Sequence, residues 1–211
     1  MKNNLIGISS RIGGEKDLAF KIINFLNNPI SDRYSFEYCE NYGLTYDVKY
    51  KNKKFADKIK DIACMLIGFT RYQLEDRNFK DKELGKDWNN KTPRLIMQQL
   101  GTECGRNILH KNVWVNASFA NYKLCDNWII TDVRFPNEVK AIKERGGIVI
   151  RIIRPCSSCG LYEGAHDIDC INNNLIEHES EKALDGYTEF DYVIDNSGSI
   201  LDLQNKLKII L

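Results

Sequence analysis

The sequence predicts an α/β domain built around a mainly parallel β-sheet. Short runs rich in β-branched residues, typical of strands that are buried on both faces, alternate with segments of helical periodicity. One stretch contains the complete unit: a strand that ends near Ile130, a helix that begins at Pro136 and stops at Gly146-Gly147, and the apolar run Ile148–Ile153. Strands that alternate with helices in this way favour a parallel sheet.

The composition argues against two classes of protein. Thirty Lys and Arg residues against 29 Asp and Glu give a formal net charge of +1 over 211 residues, so we expect no direct binding of nucleic acid. No apolar run approaches the ~20 residues of a membrane-spanning helix, so we expect no membrane contact and a cytoplasmic location. Seven cysteines, mostly in apolar segments, favour reduced thiols, and Cys64 and Cys104 are predicted as core positions of helices.

The elements follow in chain order. The first strand is predicted at Leu5–Ser9, and apolar residues recur every three to four positions over residues 17–26, which predicts a helix. Thr92 is a good N-cap and Pro93 suits the first helical position, so another helix begins there. The remaining predictions are helices at residues 55–67, 113–122 and 199–211 and strands at residues 128–131, 148–154 and 192–195. Residues 30–50 give no firm prediction, and residues 71–87 are predicted as a solvated, charged helix-loop region.

An acid and an arginine follow the predicted strand at residues 128–131. Asp132 and Arg134 come where a parallel strand ends, which is the edge at which open α/β sheets bind ligands. Glu138 adds a negative charge near the positive end of the next helix. The pattern predicts a ligand-binding corner, and a buried salt bridge between Asp132 and Arg134 is the structural alternative.

The loop after the first strand is an incomplete match to the phosphate-binding motif G-x-x-x-x-G-K-[ST]. Lys16 lies between a strand and a helix, as the motif requires, but Ser10 and Glu15 stand where the two glycines belong. Asp17-Leu18 replaces the metal-binding Ser or Thr. A carboxylate at Glu15 would repel a phosphate unless it turns outward, and the backbone there would need a torsion that a side chain resists. The alternative is an ordinary turn at Gly13-Gly14.

Several further segments occur in one characteristic order: IGISSRIGGEKD, KFADKIKDIA, LEDRNFKDKELG, TPRLIMQQLGTECGR, VWVN, ITDVRFPNEVKAIKERGGIVIRIIRP, HESEKALD and FDYVIDNSGSILDL. In this order the chain resembles the phage-type deoxynucleoside monophosphate kinases of the P-loop nucleoside monophosphate kinase group, over nearly its full length. The resemblance implies a single domain with a three-layer α/β/α P-loop kinase fold, a helical acceptor-binding subregion at about residues 50–122 and a lid-like excursion at about residues 155–177.

The resemblance also implies a reaction and its site. ATP would donate its γ-phosphoryl group to a deoxynucleoside 5′-monophosphate, with Mg²⁺ held by Asp17 and Asp132. Lys16, Arg134 and Arg154 would be catalytic. The residues implied to bind ATP are Arg11, Gly13, Gly14, Lys16 and Asp17, and those implied to bind the acceptor are Lys60, Arg94, Gly101, Thr102, Trp114, Asp132, Arg134 and Glu138.

For several of these residues, a purely structural explanation stays open as an alternative to the functional role. Lys60 would otherwise lie on a solvated helix face, where Lys58 competes with it for the role. Arg77 is a further candidate to contact the acceptor phosphate, and a solvated position is the favoured alternative. Trp114 would otherwise be a core residue, and Glu138 would stabilise a helix N-terminus. In the segment that follows the lid, we expect structural clasps rather than catalytic groups from His178, Glu179 and Glu181.

The lid-like excursion contains a candidate zinc site. Two cysteines in a C-x-x-C spacing are followed by a histidine and a third cysteine, at Cys156, Cys159, His166 and Cys170. Four such ligands suit a tetrahedral structural Zn²⁺, and reduced loop cysteines are the alternative.

Three functions remain open at this point. The first is an active kinase with ATP and a deoxynucleoside monophosphate as partners, acting in the host cell cytoplasm if the source is viral. The second is a nucleotide-binding protein that has lost ATP turnover, which the departures at Ser10, Glu15 and Leu18 favour. The third is a kinase of another small phosphorylated acceptor such as phosphomevalonate. Base preference is undetermined, and a homodimer is left open.

Overall fold

The computed structural model describes residues 4–10, 15–154 and 182–211. The chain divides into two compact units. The first, here called the sheet unit, comprises Met1–Lys53 and Lys123–Leu211, and the second, the helical unit, comprises Lys54–Tyr122. The helical unit covers nearly the same residues as the predicted acceptor-binding subregion. The single-domain organisation stays a prediction.

Within the residues described, the sheet unit contains five parallel strands in the order β2-β3-β1-β4-β5. Their bounds are β1 Leu5–Ser9, β2 Lys51–Lys53, β3 Trp128–Ile130, β4 Ile148–Ile153 and β5 Tyr192–Asp195. β1 lies at the centre, with Gly7 in register with Ile130 of β3 and with Val149 of β4. The predicted parallel sheet is confirmed, with every described strand pair parallel.

Helices cover both faces of this sheet, as the predicted three-layer arrangement requires. On one face, Ile6 and Ile8 of β1 pack into a core with α1 (Lys16–Leu26) and the final helix of the chain (Ile200–Ile210). Gly7 points to the opposite face, because side chains alternate along a strand, and a methyl group there would lie 2.7 Å from Ile142. α8 (Pro136–Lys143) is therefore packed closely against this second face.

The described part of the sheet unit also contains three elements without a sequence prediction, the first of which is a 3₁₀-helix at Pro29–Asp32. Within residues 30–50, α2 (Phe36–Tyr42) is capped by the Ser35 hydroxyl, which accepts from the N–H of Tyr38. β2 consists of Lys-Asn-Lys at the edge of the sheet, where lysines discourage pairing with another chain. The final helix, labelled α9 (Ile200–Ile210), follows Ser199, which forms a capping box with Asp202, and the predicted helix is confirmed.

The helical unit is built from short helices. Their bounds are α3 Asp57–Ile67, α4 Arg71–Glu75, α5 Arg77–Lys80, α6 Pro93–Gln98, a π-helix Gln99–Leu109 and α7 Val113–Phe119. The predicted start after Thr92 is confirmed, since its hydroxyl accepts from the N–H of Leu95 at 3.2 Å. The prediction of Cys104 as a core position is wrong, because the π-helix has a wider turn than the assumed α-helix and leaves this thiol exposed.

In the described part of the chain, no helix has the length and apolar character that crossing a membrane requires.

Candidate active site

The carboxyl ends of three adjacent strands meet at one edge of the sheet. β1 runs into the loop before α1, β3 runs into residues 131–134, and β4 ends immediately before Arg154. The N–H of Val133 donates to the carbonyl oxygen of Ile8 at 3.2 Å, which holds the segment after β3 beside the end of β1. Ligands of open α/β sheets bind at this edge, so these segments form the candidate site of the sheet unit.

The start of α1 carries the remnant of the phosphate-binding motif. Lys16 is the first residue of the helix, half-buried, and Asp17 is exposed in the first turn. Glu15 is the N-cap with φ 53° and ψ 38°, a left-handed conformation that glycine adopts easily and glutamate seldom adopts. The expectation that residue 15 needs a torsion resisted by a side chain is thus confirmed. Arg11, Gly13 and Gly14 lie outside the described residues.

The Glu15 carboxylate contacts Arg154. Nη1 of Arg154 donates to Oε1 of Glu15 at 2.7 Å, and the two side chains retain 49% and 37% of their exposure. Glu15 makes no side-chain capping bond to the first turn of α1. The sequence left two orientations open for this carboxylate, towards a phosphate or out to solvent, and here it is directed at the arginine predicted to be catalytic.

A second arginine of β4 lies inside the sheet unit. Arg151 is 6% exposed and donates from Nη1 to the Ser9 hydroxyl at 2.7 Å, while its guanidinium lies 5.6 Å from the Phe190 ring centroid. This contact ties β4 to the last residue of β1, directly before the loop. Sequence reasoning missed Ser9, because nothing local marks a strand-end serine as the partner of an arginine 142 residues away.

The corner after β3 is organised by Glu138. Its Oε2 accepts from the backbone N–H groups of Arg134 at 2.7 Å and Phe135 at 3.1 Å, and the side chain is only 1% exposed. The sequence left two roles open for Glu138, stabilisation of a helix N-terminus and contact with the acceptor. The geometry favours the first. Asp132 and Arg134 are half-buried beside it. Their roles in binding stay predictions.

In the helical unit, Lys60 belongs to a cluster of charges. Its Nζ donates to Oε1 of Glu75 at 2.6 Å, and the lysine side chain is only 13% exposed. Arg71 lies 3.8 Å from the same Glu75 oxygen and also pairs with Asp57 at 2.8 Å. Partial burial by itself raises the pKa of Glu75, but the hydrogen bond from Lys60 and the surrounding positive charges outweigh it, so the pKa lies below its ordinary value.

Arg94 is likewise paired in this structure. Its Nε and Nη2 donate to the two carboxylate oxygens of Asp81 at 2.6 and 3.1 Å, which is the bidentate geometry that guanidinium groups also use for phosphates. The pair is partly exposed, so a competing anion has access to it. For Arg77, also considered from the sequence, the side chain lies outside the described part of the chain.

Trp114 is in direct contact with Gly101 of the π-helix. The indole Nε1 donates to the carbonyl oxygen of Gly101 at 2.7 Å, and Trp114 is 4% exposed. Gly105 lies under the same ring, where a methyl group would approach Cζ2 to 2.5 Å. The geometry therefore favours the core role for Trp114 over stacking on a base, and Gly105 is a residue that the sequence analysis did not single out.

The family model described as deoxynucleotide monophosphate kinase matches residues 45–207, which is well over half of the chain. The chain belongs to the deoxynucleotide monophosphate kinase family. The match includes the helical unit, the corner after β3 and Arg154, whereas β1, Glu15 and Lys16 precede its first residue.

Individual members of this kinase family are similar to the chain at modest identity. A protein of Acanthamoeba polyphaga mimivirus, provisionally named a deoxynucleotide monophosphate kinase, is 28% identical over 74% of this chain and 79% of its own length. The deoxynucleotide monophosphate kinase of Escherichia phage RB69 is 29% identical over 56% of this chain and 44% of its own. The deoxynucleoside-5′-monophosphate kinase of Escherichia phage T5 is 41% identical over 42% of this chain and 37% of its own length. The chain therefore spans less than half of the length of either phage relative.

The resemblance stated above implies Mg²⁺ with the nucleotide, and the oxygen donors of the sheet unit fit that metal. Mg²⁺ bound with a nucleotide takes one or two carboxylates together with waters and phosphate oxygens. Asp132 after β3 and Asp17 in the first turn of α1 supply carboxylates at the candidate edge. Among the residues that the structure describes, no group of three or more His, Cys, Asp or Glu is arranged around a metal position.

The zinc candidates fall elsewhere in the chain. Residues 155–181, which include Cys156, Cys159, His166 and Cys170 as well as His178, Glu179 and Glu181, lie outside the described residues. The predicted zinc site and structural clasps stay predictions.

Proposed function

We propose that the protein transfers the γ-phosphoryl group of ATP to a deoxynucleoside 5′-monophosphate. One observation carries the proposal: at a single edge of the sheet, the chain gathers Lys16 after β1, Asp132 and Arg134 after β3, and Arg154 after β4. Three cations and a carboxylate at the carboxyl ends of adjacent parallel strands suit a polyphosphate better than a neutral ligand. Membership of the deoxynucleotide monophosphate kinase family supports the nature of the acceptor.

The transfer balances without any external base. An oxygen of the acceptor's 5′-phosphate forms a bond to the γ-phosphorus while the bond from that phosphorus to the β–γ bridging oxygen breaks, which yields a deoxynucleoside diphosphate and ADP. Charge develops on oxygens that are already anionic, so the protein's task is positioning and charge neutralisation. Mg²⁺, when bound, supplies further neutralisation of the phosphate oxygens.

The roles proposed for the sheet unit follow from where each group lies. Lys16, at the first position of α1, would pair with the terminal phosphates of ATP, and the start of the helix favours an anion there. Arg154 would neutralise the transferred phosphoryl group, and Arg134 would hold the acceptor phosphate. Arg151 is excluded from these roles in our proposal, because it is buried against Ser9 and Phe190.

For the helical unit we propose acceptor-binding roles. Lys60 and Arg94 would exchange their carboxylate partners, Glu75 and Asp81, for oxygens of the acceptor nucleotide. Thr102, half-buried in the π-helix, would offer a hydroxyl to the acceptor next to Gly101, where the lack of a side chain would let the nucleotide come close. Trp114 would act indirectly by holding the Gly101 carbonyl. Relatives from a mimivirus and two phages favour action in the cytoplasm of an infected cell.

A nucleotide-binding protein without turnover is the second candidate. The observation that favours it is the contact of Glu15 with Arg154, because a carboxylate occupies the arginine that the reaction needs. A kinase of another phosphorylated acceptor, such as phosphomevalonate, is the third candidate and has no specific contact in its favour.

A coupled assay of ADP release separates these candidates. The protein is incubated with Mg-ATP and, in turn, each of the four deoxynucleoside monophosphates, phosphomevalonate or no acceptor. We expect ADP release that depends on at least one deoxynucleotide. Folded protein that binds a deoxynucleotide but releases no ADP would eliminate the kinase in favour of the binding protein, and release with phosphomevalonate alone would favour the third candidate.

A matched pair of lysine variants checks that the activity belongs to this site. Lys16→Met should lower kcat by on the order of 100-fold or more, because it removes a cation that stabilises developing charge on the phosphates. Lys21→Met changes the net charge equally in the same helix but breaks only a surface pair with Glu40 at 2.8 Å, so it should leave kcat within about twofold. Equal effects of the two changes would contradict the assignment.

A further inference from the structure

Glu15 stands in a backbone conformation that is unfavourable for a residue other than glycine. Besides Glu15, the residues other than glycine with positive φ in the described part of the chain are Asn89 and Asn90, and asparagine tolerates this region. The Glu15 side chain makes no capping bond to α1 that would compensate the strain. Its carboxylate instead accepts from Nη1 of Arg154 at 2.7 Å.

The contact has the chemistry of an arginine that binds a phosphate. Nη1 of Arg154 meets a carboxylate oxygen at 2.7 Å, a distance that a phosphate oxygen would equally adopt. The two residues belong to the ends of neighbouring elements, since Glu15 precedes α1 after β1 and Arg154 follows β4, which pairs with β1. The carboxylate therefore lies on the same edge as the proposed donor phosphates.

The pair is also weak enough to be exchanged. Both side chains remain partly exposed, and an ion pair in contact with water contributes little net free energy because solvent screens it. A polyphosphate carries several charges and several acceptor oxygens, so it competes effectively with one carboxylate for the same guanidinium.

We propose that Glu15 is an affinity-determining residue of the donor site: its carboxylate competes with the phosphates of ATP for Arg154, and the phosphates displace it. Binding of the donor is then an exchange of anions at Arg154, and the protein binds ATP less tightly than it would with an uncharged residue at position 15. The inference rests on the proposed function for the identity of the donor. It adds what Glu15 does at the position where the phosphate-binding motif has a glycine.

Binding measurements by titration calorimetry, without turnover, test the exchange. The probes are Mg-ATP and inorganic tripolyphosphate, and the proteins are the wild type, Glu15→Gln and Glu15→Gly. Both variants should bind each probe about three- to tenfold more tightly at low ionic strength, and the gain should shrink as salt screens the charges. Glu40→Gln is the matched control, because it also removes one negative charge and one surface ion pair at 2.8 Å in the sheet unit, and it should change neither affinity by more than about twofold.

The dependence on Arg154 distinguishes exchange from simple repulsion. If Glu15 competes for the guanidinium, Glu15→Gln should increase the affinity for each probe at least about twofold more with Arg154 present than in an Arg154→Gln background. Only the protein with Arg154 gains from release of the arginine. Equal gains in the two backgrounds would overturn the exchange and leave repulsion. Weaker binding by Glu15→Gln would also overturn it, since Glu15 would then orient Arg154 towards the phosphate.

The binding results differ according to whether the exchange proposal or the proposed function is wrong. If the wild type binds both probes and Glu15→Gln binds them equally, the exchange proposal fails alone. If neither the wild type nor any folded variant binds Mg-ATP or tripolyphosphate, the donor site fails and the exchange proposal fails with it. Binding by the Glu15 variants alone supports both, because it shows a donor site that the carboxylate closes.

Discussion

The indole Nε1 of Trp114 donates to the carbonyl oxygen of Gly101 at 2.7 Å within the buried part of the helical unit. Gly101 belongs to the π-helix Gln99–Leu109, whose i→i+5 bonding is rare and usually confined to a single turn. A carbonyl oxygen has two lone pairs, so the Gly101 oxygen can accept the indole N–H while it remains part of the helix. The Trp114–Gly101 bond is thus a local support for the segment that carries Thr102.

Trp114→Phe should destabilise the protein by about 2 kcal/mol. Phenylalanine keeps an aromatic ring but leaves the buried Gly101 carbonyl without this donor and opens a small cavity. The measurement is urea unfolding followed by far-ultraviolet circular dichroism. Trp88→Phe is the control, because Trp88 ends a short 3₁₀-helix of the same unit and is less buried, and it should cost less than half as much. Equal losses would contradict a specific role for the Trp114 bond.

Gly105→Ala should lower the free energy of unfolding by about 2–3 kcal/mol. The added methyl group would lie 2.5 Å from Cζ2 of Trp114 and 2.7 Å from the Leu100 carbonyl oxygen. Neither neighbour yields easily, since one is a buried ring and the other is backbone. Gly101→Ala, in the same helix, meets only the flexible end of Ile59 at 3.2 Å and should cost about 1 kcal/mol or less. Unfolding free energies in the reverse order would show that Trp114 is not closely packed here.

Glu138→Ala should lower the free energy of unfolding by about 1–2 kcal/mol. The change removes the buried acceptor of two backbone N–H groups, those of Arg134 and Phe135, at the partly buried start of α8. Glu144→Ala follows the last turn of the same helix and removes only an exposed contact with Lys140 at 3.8 Å, so it should change stability by less than about 0.5 kcal/mol. Denaturant titrations of both variants check the difference.

The Lys60–Glu75 pair predicts a pH dependence of stability. Because the pKa of Glu75 is lower in the folded than in the unfolded protein, the unfolded state binds more protons and stability rises with pH. The contribution is present above the unfolded pKa of about 4.3 and is lost as the pH falls through the folded value. With Glu75 half-exposed, we expect only about 0.5 kcal/mol.

Unfolding of the wild type and Glu75→Gln at several pH values between 3 and 7 measures this contribution. The wild type should be more stable near neutral pH, and the difference should vanish at the acidic end. A difference that does not change with pH would contradict the pKa shift of Glu75.

The predictable elements are those whose signal lies in a few adjacent residues. The strand Ile148–Ile153 was evident from its β-branched run, and the helix starts at Thr92 and Ser199 follow from hydroxyl caps that need only local geometry. β2 had no such signal, because Lys-Asn-Lys lacks apolar residues and becomes a strand only by pairing with β3.

The contacts that shape the candidate site come from distant parts of the chain. Glu15 is 139 residues from Arg154, and Ser9 is 142 residues from Arg151, so nothing in either neighbourhood announces the partner. The assignment of Cys104 failed for another reason, because helical periodicity was assumed where the chain forms a π-helix. Residue types and motif order supplied the candidate groups, whose functional roles stay predictions, and tertiary pairing decided what each of them contacts.

Transfer of label from ATP carrying a radioactive γ-phosphate tests the central claim most directly. The protein is incubated with this ATP, Mg²⁺ and a mixture of the four deoxynucleoside monophosphates, and the products are separated. We predict label in at least one deoxynucleoside diphosphate, and none when the deoxynucleotides are omitted. Label that remains in ATP, or that appears only as inorganic phosphate, would contradict phosphoryl transfer to a deoxynucleotide by this protein.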